Sequence, residues 1–94
     1  MDYESFIKSI SAAEPLPGLS PYLKALWYDA KERWDMSHNI AQDINDRNGS
    51  WIHAYLHRKE GDDANAGYWY NKAGKSFPQV SLEEEWTLMV KAFI

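Results

Sequence analysis

The residues of this chain with the clearest capacity for chemistry are His53, His57 and Glu60. Spaced i, i+4 and i+7, they share one face of a helix. Two imidazoles and a carboxylate are a donor set for a divalent metal, which makes His53, His57 and Glu60 a candidate metal site. On a helical wheel this face lies opposite Trp51 and Tyr55. A solvated polar face is the plainer reading, in which His53 tolerates truncation. Asp35 and His38 form a second acid–imidazole pair, three residues apart. His38 borders Trp34 and Ala41, which suits a packed, hydrogen-bonded histidine better than a general base. Ser20, Ser50 and Ser81 read as helix caps, whose hydroxyls backbone N–H groups already engage. Consecutive Glu83, Glu84 and Glu85 point about 100° apart on a helix, so they do not converge; they suit the positive end of a helix dipole. No catalytic residue is assigned, and no cofactor is implied.

Positioning any of these groups is the task of short helices. Tyr3, Phe6, Ile7 and Ile10 recur at helical spacing, with Asp2 as cap and an end near Ala12. Pro15, Pro17 and Gly18 prevent continuation. Ser20-Pro21 opens the next helix. Its stripe is Leu23, Leu26, Trp27 and Ala30. The phase is lost at Glu32-Arg33, which reads as a tight turn; one continuous helix is the alternative. A new stripe runs through Trp34, Met36, Ser37, Ile40, Ala41 and Ile44. After the polar loop 45–49, Ser50 is the expected cap of a helix reaching about Lys59. Gly61 stops it. Ala66, Trp69, Tyr70 and Ala73 stripe the following helix, which Gly74 ends. Ser81-Leu82-Glu83-Glu84 has the pattern of a capping box, ahead of Leu82, Trp86, Met89, Val90 and Phe93. No segment alternates with period two. The expected fold is one all-α domain, residues 1–94, of about six short helices arranged as antiparallel hairpins.

Composition narrows the possible functions. Among the 94 residues there is no cysteine, which excludes a disulfide scaffold, a zinc finger and a thiolate enzyme. Five Trp and six Tyr supply large buried areas to a small core. The net charge is −4 and the basic residues are scattered, so nucleic acid is not an expected partner. No apolar run approaches the roughly 20 residues of a membrane span, and no secretory pattern opens the chain. The expected location is the cytoplasm.

Two stretches echo one another. Leu26 to Ile44 lies over Tyr55 to Ala73 at a constant offset of 29 residues, placing Ala25 on Ala54 and Ser37 on Ala66. Small residues there let two helices approach closely. The second stretch, with Gly61-Asp62-Asp63 followed by Ala66, Trp69, Tyr70, Lys72 and Ala73, resembles the tetratricopeptide and Sel-type helical repeats over residues 51–74. The chain as a whole also resembles small bacterial proteins, which implies no activity. The repeat resemblance implies an interaction or adaptor protein that takes a protein or peptide partner in a groove between hairpins. It puts His57 between helices, where the repeat usually carries an aromatic residue. His57, Arg58, Asn65, Tyr68 and Trp69 are the candidate partner-binding residues, with Arg58 and Lys59 at the rim. A homodimer would enlarge so small a surface. The alternative function is a metal-dependent binder or enzyme using His53, His57 and Glu60.

Overall fold

A computed structural model describes all residues from Met1 to Ile94. Six helices and no strand are present: α1 (Tyr3–Ser9), α2 (Pro21–Ala30), α3 (Trp34–Gln42), α4 (Arg47–Lys59), α5 (Asp63–Ala73) and α6 (Leu82–Phe93). Asp2, Ser20, Asp62 and Ser81 each accept a backbone N–H at a helix start. Such caps satisfy donors that no helical carbonyl can reach.

The echo in the sequence has a structural counterpart. The turns ending α2 and α4 repeat one hydrogen-bond pattern, shifted by 29 residues. Arg33 donates its backbone N–H to the Tyr28 carbonyl at 2.9 Å, as Asp62 does to His57. Both turns need a left-handed residue: Gly61 at φ 86° in the second, Glu32 at φ 59° in the first. Glycine adopts that conformation freely and glutamate does not, so the first turn carries more backbone strain. Each turn folds a hairpin, α2 with α3 and α4 with α5. Ala25 and Ser37 are fully buried in one, Ala54 and Ala66 in the other. Ser37 also donates its hydroxyl to the Ala25 carbonyl at 2.7 Å.

α4 is the central element, packed against α5, α3, α2 and α6. The core is Phe6, Leu23, Leu26, Trp27, Ile52, Tyr55, Leu56, Met89 and Val90, among others. Each such large side chain contributes roughly 1.5–3 kcal/mol by leaving water. α6 crosses α2, where the Trp86 indole N–H donates to the Leu26 carbonyl.

Two local expectations are corrected, and one residue adds a feature that the sequence did not suggest. α1 ends at Ser9, short of Ala12. Ser50 does not cap α4; it is buried within the helix, and Asp46 caps from one turn earlier. Helix can start there because Gly49 lies against Ile44: a Cβ on it would sit 2.3 Å from the Ile44 carbonyl oxygen. Glu85 does not face water with Glu83 and Glu84. It is 1% exposed.

Candidate functional site

α4 presents His53 and His57 one turn apart, and both are buried, 6% and 7% exposed. The expected solvated face therefore does not exist. A helix covered on both sides keeps little surface for polar residues except at its ends. The His53 ring lies on Trp69 of α5, with centroids 3.9 Å apart and planes 22° from parallel. His38 enters from α3, stacked on Trp34 at 4.7 Å. Trp34 is itself fixed by its indole N–H, which donates to the Leu56 carbonyl at 2.9 Å. His38 Nε2 and His53 Nε2 are 3.0 Å apart. His57 stacks on His53 at 4.8 Å and meets the His38 ring at 5.3 Å. All three histidines of the chain thus gather at one point.

Burial governs the electrostatics of His53 and His38. It pushes His53 from 6.5 down to about 4, and the neighbouring His38 and His57 push it the same way. His38 is lowered too, by burial first and then by His57, against the opposing charges of Glu60 and Asp35. An imidazole without water and without a close counter-ion favours its neutral form. The short contact between the two Nε2 atoms then requires one to carry hydrogen and the other a lone pair. His57 is oriented differently. Its Nδ1 donates to Glu60 Oε1 at 2.7 Å, and its Nε2 lies 3.4 Å from the Asn65 amide nitrogen.

The expected metal set His53, His57 and Glu60 is regrouped. One ring nitrogen each from His38, His53 and His57 lie within 4.8 Å of one another, and Glu60 joins His57 and Asp62 in a separate, more exposed group. Spacing along α4 pairs His53 with His57. His38 was missed as their neighbour, although its place on the Trp34–Ala41 stripe marks it as inward-facing.

The expected partner groove is also divided. His57, Asn65 and Trp69 belong to the histidine centre. Arg58 turns to the opposite side of α4, donating to Glu85 Oε1 at 2.8 Å and to the Val80 carbonyl. Lys59 reaches Asp29 at 2.9 Å. Neither is a free rim charge. Tyr68 alone of the set is fully outside, 57% exposed. Beside His53 and Trp69 opens a cleft of about 340 Å³, lined also by Gln42, Arg47, Ser50 and Lys72.

The arrangement can offer imidazole nitrogens to a common centre and an aromatic face to a neighbour. Comparison with protein-family models, with curated proteins and with solved structures found no match for this chain.

Proposed function

We propose that this domain is a small interaction module that docks a protein or peptide segment on the outer face of α5. One observation carries the reading: α5 lies at the edge of the assembly, packed chiefly on α4, with aromatic residues on its outward side. Its inner side is spent on Ala66, Tyr70 and Ala73. Outward lie Tyr68, half-buried Trp69 and exposed Lys72. The Lys72 ammonium sits 5.6 Å from the Tyr68 ring and 5.1 Å from the Trp69 ring. Such cation–π contacts hold aromatic side chains ready at a surface. Tyr and Trp in this setting anchor interfaces at low entropic cost. The complementary segment would be amphipathic, placing an apolar side chain on Tyr68 and a carboxylate at Lys72. The repeat resemblance of residues 51–74 supports the same reading. A second copy of the chain is one possible occupant.

The test compares Tyr68→Ser with Leu88→Ser, a change at an exposed residue of α6. Both should fold like the parent, because exposed substitutions shift stability by no more than about 0.5 kcal/mol. Sedimentation reports self-association, and co-purification from the native host reports a foreign partner. Association should persist in Leu88→Ser and vanish in Tyr68→Ser. Equal retention by both variants would sink the proposal.

A further inference from the structure

The three imidazoles have more in common than burial. A zinc-class ion binds nitrogen at about 2.0–2.1 Å, so the ligand atoms of a tetrahedral site stand roughly 3.3 Å apart. His38 Nε2 and His53 Nε2 are already at 3.0 Å, and the widest separation in the triad is within 4.8 Å. Closing on one ion requires the widest pair to approach by at most about 1.5 Å.

The surroundings match what such ligands need. Metals bind the lone pair of a neutral imidazole, and burial favours that form at His38 and His53. Glu60 accepts from Nδ1 of His57, which fixes the ring and leaves the Nε2 lone pair, 3.4 Å from the Asn65 amide nitrogen, as the one an ion would take over from Asn65. A carboxylate behind a histidine ligand is a recurring outer partner, because it orients the ring and raises its basicity. Trp34 and Trp69 clamp the other two rings from outside.

We propose that His38, His53 and His57 form a three-histidine site for one divalent transition ion of the zinc class, with Glu60 as the positioning residue behind His57. The set has no fourth side-chain ligand, so water or a small anion takes the remaining position. His53 also lines the cleft beside Lys72, which gives that position a route to solvent. On binding, whichever of His38 and His53 carries its hydrogen on Nε2 moves it to its own Nδ1, and the ion replaces the shared proton between them. No net charge leaves either ring. Imidazole donors select zinc, cobalt, nickel or copper over magnesium and calcium, which prefer oxygen.

The experiment uses the full chain without an affinity tag, stripped with chelator. Cobalt(II) is titrated and read by its visible absorption, and zinc by competition against a chromophoric chelator. One equivalent of cobalt should give the intense bands of a four-coordinate ion, zinc should displace it, and magnesium should not. His38→Ala changes the least buried of the three histidines and should weaken zinc binding about 100-fold or more while the chain stays folded. Glu60→Gln should cost about 10–100-fold and leave the cobalt spectrum unchanged in shape. Glu84→Gln, at an exposed residue on α6, should bind like the parent. Absence of saturable one-to-one binding, a six-coordinate cobalt spectrum, or parental affinity in His38→Ala would each overturn the site. Should His53→Ala or His57→Ala fail to fold, His38→Ala and Glu60→Gln still decide the question.

Discussion

α4 carries two polar centres on opposite faces, and they are built on different terms. On one face Trp51, Tyr55, Arg58 and Lys59 meet the buried carboxylates Glu85 and Asp29. Glu85 accepts from Trp51, Arg58 and Tyr70, and Asp29 from Tyr55 and Lys59. Each buried negative charge has a positive partner and further donors. Both phenols are driven far above their ordinary range, chiefly by burial and by these carboxylates, so they act as fixed donors. On the other face stand three imidazoles whose one charged neighbour within bonding distance is Glu60, at the surface end. The first centre is complete as folded. The second titrates, because burial holds His53 and His38 below the ordinary imidazole value.

Removing a member of the complete centre should therefore have the largest effect. Glu85→Ala leaves Arg58 without its partner and strands the Trp51 and Tyr70 donors against α6. Breaking a buried ion pair from one side costs about 3–5 kcal/mol, and stranded donors add to that. Urea denaturation at pH 7.5 should show a loss of this size. A loss under about 1 kcal/mol would mean that water reaches Arg58 and that the two faces differ less than described.

The next effect in size tests the spacing that both centres share. Ala54 and Ala66 are fully buried between α4 and α5. Their small side chains bring Trp69 onto His53 and Tyr70 to Glu85. Ala66→Leu should overpack this contact by about 1–3 kcal/mol. Ala64 is exposed on the other side of α5, and Ala64→Leu should be nearly neutral. Equal melting temperatures for the two variants would contradict the packing of the second hairpin.

The sequence conveys the helices better than the centres, for a physical reason. Helical stripes, prolines, glycines and caps are local, and they place all six helices to within a few residues. The one cap misplaced, Ser50, had a competitor in Asp46, and the choice between them depended on Gly49 meeting Ile44, a contact invisible to periodicity. The centres depend on which helix faces meet. His53 and His57 are paired by spacing within α4, but His38 joins them only because α3 lies against that face. Glu85 gave a fainter signal. It stands between Leu82 and Met89 at helical spacing, on the buried side of α6, but the run of three glutamates reads as helix-start charge.

The smallest effect separates the two faces by pH. His53 has its folded-state pKa lowered to about 4 from 6.5, and His38 is lowered as well. Between those values the unfolded chain binds more protons than the folded one, so stability rises with pH. This contribution is fully present above about pH 6.5 and is lost as pH falls toward 4. Each such histidine adds a slope of at most about 1.4 kcal/mol per pH unit. Glu60 and Asp35 oppose the shift at His38, which makes its share the smaller. The carboxylates whose pKa is lowered, Asp2 and Asp46, start from 3.8 and act only at more acidic pH. Urea midpoints measured with chelator at pH 7.5 and 5.5 should fall on acidification in the parent chain. His53→Gln keeps a polar side chain without the titration, so its midpoint should fall less. Glu85→Gln, on the other face, should lower both midpoints and preserve the parental difference between them. An acid loss undiminished in His53→Gln would show that His53 is not the principal titrating group.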